Sequence, residues 1–471
     1  MTDYGFLSLI PPVLAIFLAI RTKQVIFSLL LGITIGWIII SGGNLFLGLI
    51  ATIDAIINVF SSAGNTRTVV FTLLVGALIQ LIKFSGGVDG FIGLIQKKLS
   101  KTKNPKRNIQ IAAGITGFLI FIESNISILA VGTAYKPIFA RYKIAKEKLA
   151  YLADSSSAPA CILFPLNAWG AYIMGLLMVY EHLDPFKMLA YSIPFNFYPI
   201  ITLLFLFYLA FTGKSFGPMR SFEDKVSEEI TNEKITAASG NPHLMIWPLA
   251  AMVFSMPFFL IYTGWKDTFT GDLSTIIWNS IGNGSGSSAV TYAIVFALFI
   301  AAFIMGMQKK ITLVSFFHES IKGMNDMLIM AILMVLAFAL SALCKELETG
   351  VYVAQITSNW LSPSMAPFVL FITSCFVAFS TGTSWGTFAI MISIVVPLIE
   401  TMTLHPYLSL AAVLGGGVFG DHCSPISDTT LIASVATKSN HIDHIKTQLP
   451  YALFTGSLTG LLYLITGFLF T

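Results

Sequence analysis

The sequence predicts an all-α polytopic membrane protein with two inverted repeats, about ten transmembrane helices, two re-entrant hairpins and two broken helices. Composition is the first reason, because 55% of the 471 residues are hydrophobic and only 11% are charged. Soluble domains carry about 25% charged residues. A chain of this length and polarity has no plausible fold in water, so its solvent is a lipid bilayer. The order of the apolar runs and an internal repeat are the other two reasons.

Ten apolar runs, five in each half of the chain, are long enough to cross a bilayer. Two amphipathic segments, 44–60 and 311–323, are predicted to lie at the membrane interface. The ten runs are residues 6–20, 24–41, 66–83, 148–180, 190–211, 244–262, 289–306, 324–343, 408–437 and 450–470.

Polar residues interrupt four long apolar stretches. Runs 109–140 and 365–401 are too long for one span, and we interpret each as a re-entrant hairpin with a polar tip at mid-membrane. Spans 148–180 and 408–437 are interpreted as broken helices. The interruptions are, in chain order, Glu123-Ser124-Asn125, Asp154 to Pro159, Ser380 to Ser384, and Gly420 to Thr429.

The basic residues support the hairpins. With ten crossings and each hairpin returning to its own side, the predicted cytoplasmic segments hold 22 of the 27 Lys and Arg residues. Such a bias follows the positive-inside rule. A simple twelve-span topology would instead export the basic cluster from Arg141 to Lys148.

A shift of 260 residues relates the two halves. It carries Ser124 to Ser384, Pro137 to Pro397, and Pro165 to Pro425. Each half makes five crossings, an odd number, so the second repeat is predicted to be inverted. The predicted domains are a first repeat at 1–211, a polar cytoplasmic linker at 212–243 and a second repeat at 244–471.

Motifs of soluble enzymes and ATP-driven pumps are absent from the sequence. There is no HExxH, no P-loop and no GxSxG, and the four cysteines form no CxxC pair. We therefore expect no enzymatic activity, no cofactor and no nucleic-acid partner. The expected partners are the lipid bilayer and a transported solute.

The second broken helix concentrates polar oxygens. A buried carboxylate among hydroxyls suits a small alkali cation, and the same carboxylate binds a proton or Na⁺ but not both well. Asp428 is predicted to be the primary acid and Asp421 the next, both as Na⁺ ligands. Asp421 could instead cap a half-helix, and Asp428 could instead accept hydrogen bonds from Ser424 or neighbouring N–H groups. His422 could relay protons or be structural. The candidates here are Asp421, His422, Ser424, Ser427, Asp428 and Thr429.

The other three interruptions supply further candidates. Asn167 corresponds to Ser427 under the repeat, while Asp154 lies near the entry of its span and could be a cap. Trp169 could line a substrate cavity, but packing against other side chains is the favoured interpretation. His441, Asp443 and His444 are predicted to lie in a cytoplasmic loop. The candidates are Asp154, Ser155, Ser156 and Asn167 in the first broken helix, Glu123, Ser124 and Asn125 at the first tip, and Thr381, Thr383, Ser384 and Thr387 at the second.

These motifs resemble the NhaC-type sodium/proton antiporter family over nearly the whole chain. The resemblance is carried by Ser380–Phe388, Gly420–Thr430, His441–His444 with Thr447–Ala452, and Glu147–Pro159. Many members carry consecutive aspartates where this chain has Glu123-Ser124, which leaves fewer charges at the first tip.

The resemblance implies Na⁺/H⁺ antiport in a bacterial-type cytoplasmic (inner) membrane, with Na⁺ and H⁺ as the transported or coupling ions. It also implies inverted repeats with hairpins and a possible homodimer. Relatives of this type include malate/lactate exchangers and sodium-coupled amino-acid carriers. The alternative is therefore sodium- or proton-coupled transport of a small organic solute, an amino acid or a hydroxy or dicarboxylic acid.

Overall fold

The computed structural model describes residues 4–22, 24–99, 104–121, 123–165, 167–180, 183–226, 240–266, 272–357 and 361–470. Every regular element in these ranges is a helix, as the sequence predicts. The α-helices are Ile10–Thr22 (α1), Val25–Ile40 (α2), Leu45–Asn58 (α3), Ala63–Phe84 (α4), Gly87–Leu99 (α5), Pro105–Leu119 (α6), Ser124–Arg141 (α7), Lys146–Leu163 (α8), Ala168–Leu177 (α9), Pro185–Ser192 (α10), Phe197–Thr212 (α11), Pro218–Val226 (α12), His243–Gly264 (α13), Leu273–Asn283 (α14), Gly286–Met307 (α15), Leu313–Asp326 (α16), Leu328–Glu346 (α17), Thr349–Thr357 (α18), Ala366–Thr381 (α19), Ser384–Thr401 (α20), Pro406–Cys423 (α21), Asp428–Thr437 (α22) and His441–Leu469 (α23).

The protein is a multi-pass membrane protein. Within the described ranges, seven helices are long and apolar enough to cross a bilayer, and two bent pairs raise that number to nine. The amphipathic segments 44–60 and 311–323 form α3 and α16, and their position at the interface stays a prediction. The count of ten crossings also stays a prediction, because α1 and α2 have only 13 and 16 residues.

Helix boundaries repeat along the chain. Three consecutive helices, α7, α8 and α9, recur as α20, α21 and α22 with every start and end 260 residues further on. The repeat found in the sequence therefore describes the positions of helix ends as well as a few matching residues. Its inversion and the domain boundaries at 211 and 244 remain predictions.

Both long apolar runs fold as helical hairpins. In the first, α6 packs against α7, and the Ser127 hydroxyl donates to the Gly117 carbonyl oxygen at 2.8 Å across the tip. In the second, α19 ends at Gly382, whose φ of +69° is in the left-handed region. A Cβ at Gly382 would lie 2.7 Å from the Ile426 carbonyl oxygen, so this tip packs directly on the α21–α22 break.

The predicted interruption of the first broken helix at Asp154–Pro159 is wrong. That segment lies inside the continuous helix α8, and the break comes later, between Leu163 and Ala168. Ser157 donates its hydroxyl to the Ala153 carbonyl oxygen at 2.6 Å. Hydroxyls that bond within their own helix leave the backbone ladder intact, so polar composition alone does not break a helix.

The predicted cytoplasmic loop before the last span is also mostly helix. Asn440 accepts hydrogen bonds from the Ile442 and Asp443 amides and caps α23, which begins at His441. In the predicted linker 212–243, α12 docks on α8 through an ion pair of Lys148 with Glu223 at 3.0 Å. Residues 227–239 of that linker lie outside the described residues.

The two halves exchange packing partners. Each short helix that follows a break packs against the hairpin of the other half, α9 against α20 and α22 against α7. Trp169 and Trp385 make the first contact, with ring centroids 5.4 Å apart. In the second contact, a Cβ at Gly132 would lie 2.5 Å from the Ala436 Cβ. The breaks are therefore held between the repeats.

Glycines let α19 and α21 approach closely. A Cβ at Gly416 would lie 2.5 Å from the Phe371 carbonyl oxygen, and one at Gly420 would lie 2.3 Å from the Cys375 carbonyl oxygen. Small residues four positions apart are a common means of bringing membrane helices together. This contact holds the second hairpin against the helix that carries Asp421.

We predict that Gly420→Ala destabilises the protein by about 1–3 kcal/mol, since its methyl group would overlap backbone that cannot move freely. Thermal unfolding in detergent measures the effect. Gly306→Ala is the matched control, because nothing lies within 4 Å of its Cβ position. Equal unfolding temperatures for the two variants would contradict the close helix contact.

Candidate functional site

The two helix breaks and the two hairpin tips meet in one region. The first break bonds to the first hairpin tip, the second tip packs on the second break, and Thr430 of α22 donates to Asp154 of α8 at 3.2 Å. Because α9 and α22 have ten residues each, the breaks lie about 15 Å from the far ends of those helices.

Asn167 connects three chain segments in the first half. Its Oδ1 accepts from the Gly170 amide at 2.9 Å and so caps α9. Its Nδ2 donates at 2.7 Å to both the Phe121 carbonyl oxygen, at the hairpin tip, and the Cys161 carbonyl oxygen, near the end of α8. Both polar atoms of the side chain are thus bonded to backbone, which gives Asn167 a structural role, and its predicted role as a ligand stays a prediction.

In the second half, Ser424 and Ser427 together cap the short helix and bond the break to its hairpin, as Asn167 does in the first. Ser427 caps α22 by accepting from the Thr430 amide at 3.3 Å, as its repeat partner Asn167 caps α9. Ser424 donates to the Phe379 carbonyl oxygen of the second hairpin at 2.7 Å. His441 lies 2.9 Å from the Pro425 carbonyl oxygen, so the backbone of the break is also supported from α23.

Asp421 is the buried acid of the second break. Its Oδ2 accepts from the Ser384 hydroxyl of the second hairpin at 2.7 Å, and Ser427 lies close to the same carboxylate. Its Oδ1 is buried and has no hydrogen-bond partner among the described residues. A buried carboxylate oxygen without a partner is unfavourable unless a cation or a proton neutralises it.

Asp428 lies on the other side of the break, as the first residue of α22. It is half-buried, next to the exposed Pro425, and its Oδ1 accepts from the Thr429 amide at 3.0 Å. The Asn125 amide of the first hairpin reaches towards it, and the charge of Glu123 is near enough to repel it. Residues from both hairpin tips therefore surround the two aspartates.

Glu123 is buried and serves as a cap. Its Oε2 accepts from the Ile126 amide at 3.0 Å, and Ser124 donates to its Oε1 at 3.3 Å. The side chain also borders a small cavity of about 20 Å³ whose other walls include Ile79 and Met245. Glu123 thus lies between Asp428 and the small cavity that separates the first hairpin from its neighbouring helices.

Asp154 is buried in the middle of α8, so neither capping nor a position at the span entry describes it. Gln448 donates to its Oδ2 at 2.7 Å, and the imidazoles of His422 and His444 lie 3.8 and 3.6 Å from its carboxylate. Gln448 is not among the predicted ligands, and His444, predicted to lie in a loop, belongs to α23. The helical spacing of His444, Gln448 and Tyr451 was a usable signal, since all three are buried.

Several predicted ligands bond within their own helices. Ser155 lies beside Tyr151 of its own helix, Ser156 donates to the Ala153 carbonyl oxygen and Thr381 to that of Val377, while Thr387 donates to that of Thr383. The oxygen lone pairs of these hydroxyls remain available, so their role as ion ligands stays a prediction. Thr429 is different, because its hydroxyl lies 3.0 Å from that of Ser427 beside the break.

Trp169 is buried and packs. Its ring contacts Trp385 at 5.4 Å and Phe388 at 5.9 Å between centroids. The indole Nε1 is buried without a hydrogen-bond partner among the described residues.

Comparisons with known proteins agree with this architecture. A model of the Na⁺/H⁺ antiporter family matches residues 173–468. A Haemophilus influenzae protein described as uncharacterized is 30% identical, covering 98% of this chain and 91% of its own. The malate-2H⁺/Na⁺-lactate antiporter of Bacillus subtilis is 29% identical over 112 residues, or 24% of each chain. The crystal structure of the Alcanivorax borkumensis YdaH transporter has the same fold, with a TM-score of 0.65 over 89% of each chain at 12% identity.

Asn167→Ala is expected to destabilise the protein by about 2–5 kcal/mol, because it removes a helix cap and leaves two buried carbonyl oxygens without donors. Thermal unfolding in detergent measures this loss. Asn440→Ala is the control, since Asn440 caps α23 without bonding to either hairpin. It is expected to cost about 1 kcal/mol, and an equal loss in both variants would contradict the bridging role.

Proposed function

The chain belongs to the Na⁺/H⁺ antiporter family, and on that premise we propose that it exchanges Na⁺ for protons across a bacterial-type cytoplasmic membrane. One observation carries the proposal: Asp421 and Asp428 flank a helix break, and one buried oxygen of Asp421 has no partner among the described residues. Ionisable groups inside a membrane are costly and are kept for function. An antiporter of ions needs such a group where an ion crosses.

The chemistry around the two aspartates suits Na⁺ as the substrate. Their carboxylates, with the hydroxyls of Ser427 and Thr429, form a set of hard oxygen donors. Na⁺ prefers such oxygens, and carbonyl groups at broken helices add to them in other transporters. A proton bound at or beside these carboxylates opposes the binding of Na⁺, so a proton and Na⁺ compete. Competition of this kind produces exchange rather than joint transport.

The hairpins couple ion binding to movement. Ser384 contacts Asp421 from the second hairpin, and Asn125 approaches Asp428 from the first. A bound Na⁺ cancels the repulsion among Asp421, Asp428 and Glu123, which favours both tips resting on the break. After the ion leaves, that repulsion returns and favours opening until a proton binds. Alternating access requires two conformations of the protein whose populations depend on whether the ion is bound.

Asp428→Asn is expected to lower Na⁺-driven proton movement at least about tenfold, since the amide keeps the side-chain size but removes the charge. The measurement uses purified protein in liposomes with a proton gradient, whose collapse on Na⁺ addition is followed by a pH-sensitive dye. The range should run from about pH 6 to about pH 9, around the ordinary titration of histidine.

Asp89→Asn is the matched control. Asp89 lies in the first turn of α5, as Asp428 lies in the first turn of α22, but Asp89 is exposed and lies outside the proposed site. It should transport normally. Normal transport by well-folded Asp428→Asn protein would refute the site, and no response of the unaltered protein to Na⁺ at any pH in the range would refute the exchange itself.

A second candidate is Na⁺-coupled exchange of a small organic acid. It is supported by the partial similarity to the Bacillus subtilis malate-2H⁺/Na⁺-lactate antiporter and by the buried, unpartnered indole N–H of Trp169 in the described structure. That N–H lies two residues from the first break and could donate to a carboxylate. Uptake of labelled malate or lactate that requires a Na⁺ gradient and is lost in Trp169→Phe would favour this candidate.

A further inference from the structure

A second group of ionisable side chains lies outside the site proposed for Na⁺. We name it the Asp154 cluster: Asp154, His422, His444 and Gln448. It joins α8, α21 and α23, and Asp154 and His444 in it are fully buried. Gln448 fixes its geometry, because the Nε2 donates both to Asp154 Oδ2 at 2.7 Å and to the His422 carbonyl oxygen at 2.9 Å.

Five buried side-chain atoms in this cluster have no hydrogen-bond partner within the described ranges. They are Oδ1 of Asp154, Nε2 of His422, both ring nitrogens of His444 and Oε1 of Gln448. The distance from His444 Nε2 to Asp154 Oδ2 is 3.6 Å, too long for a neutral hydrogen bond. A proton on His444 would turn this contact into an ion pair, because the imidazolium would face the Asp154 carboxylate. The arrangement is therefore suited to gaining a proton.

The other titratable groups around the pair lie on the neighbouring helices. His422, Asp421 and Cys423 face it from α21, Asp428 from α22 and Glu147 from the start of α8, while Tyr198 of α11 contacts the far side of His422 at 3.0 Å. Three of these neighbours are carboxylates. Their negative charge attracts a cation to this region, and a Na⁺ bound among them reduces that attraction.

A short path of polar groups connects the cluster to the aspartates of the break. Thr430 donates its hydroxyl to Asp154 at 3.2 Å and its backbone amide to the Ser427 hydroxyl at 3.3 Å. Ser427 lies beside Asp421, which in turn accepts from Ser384 of the second hairpin. A change of charge at Asp421 or Asp428 thus alters the electrostatic potential at Asp154. It also acts on Asp154 through the hydrogen bonds of the first turn of α22.

We propose that the Asp154–His444 pair is a proton-binding site separate from the aspartates that bind Na⁺, and that it carries the proton exchanged for that ion. The inference rests on the Na⁺/H⁺ exchange proposed above. Arrival of Na⁺ at Asp421 and Asp428 removes the negative field that holds the proton, so one proton leaves His444 Nε2 and the imidazole becomes neutral. Departure of Na⁺ restores the field, and one proton binds again.

Two transport measurements in liposomes separate the proton site from the Na⁺ site. Exchange of radioactive Na⁺ for unlabelled Na⁺ requires the Na⁺ site and alternating access but no net proton transfer. Na⁺-driven proton movement requires both sites. His444→Gln and Asp154→Asn are expected to keep Na⁺/Na⁺ exchange within about twofold and to lower proton movement at least about tenfold.

The pH dependence provides a second measurement on the same variants. In the unaltered protein the Na⁺ concentration for half-maximal exchange should rise as the pH falls, since the bound proton opposes Na⁺. In His444→Gln that concentration should change less with pH. Ser157→Ala is the control, because Ser157 is buried one turn further along α8, and its hydroxyl bonds to Ser127 and the Ala153 carbonyl oxygen rather than to the cluster. Its two activities should match the unaltered protein.

Two results would overturn the separate proton site. One is an equal loss of both activities in variants whose thermal unfolding is normal, since the pair would then support the Na⁺ site instead. The other is unchanged proton movement in both variants. A third result would refute the proposed Na⁺/H⁺ exchange itself: Na⁺/Na⁺ exchange by the unaltered protein with no proton movement. It differs from the first two results because it is seen without any substitution.

Discussion

The structure depends on one constraint, the pairing of backbone groups where a helix is broken inside a membrane. Lipid offers no hydrogen bonds at that depth, and each unpaired group costs several kcal/mol. Two side chains meet most of the requirement. Asn167 donates to the Phe121 and Cys161 carbonyl oxygens and caps α9, while Ser424 donates to the Phe379 carbonyl oxygen of the other hairpin. Each break is thereby tied to a hairpin tip, and the four irregular segments stabilise one another.

That mutual support requires close packing, which explains the small residues around the breaks. Gly382 ends α19 against the Ile426 carbonyl oxygen, and Gly416 and Gly420 bring α21 onto α19. The short helices after the breaks then pack on the hairpins of the opposite half. An ion-dependent change at one break is therefore transmitted to both halves, because neither break is held by its own repeat alone.

The same geometry concentrates acids where charge is most costly. Asp421 and Asp428 lie on either side of one break, and Asp154 joins them through Thr430. Gln448 and His444 belong to α23, which spans from the cap at Asn440 into the centre of the molecule. Ion exchange and proton binding would share one electrostatic field while using different side chains, which gives a physical basis for obligatory exchange.

The sequence alone determined the all-α membrane fold, both hairpins, the second break and the 260-residue repeat, because apolar length, proline and glycine act locally. It also singled out Asp421 and Asp428 as candidate ligands, since acids in apolar segments are conspicuous. Only the tertiary structure decided the position of the first break and the partners of Asp154. The serines after Asp154 bond within their own helix, so their polarity misled, and Gln448 contacts Asp154 across 294 residues of chain. Contacts of that separation depend on how the repeats pack, which no local pattern of residues encodes.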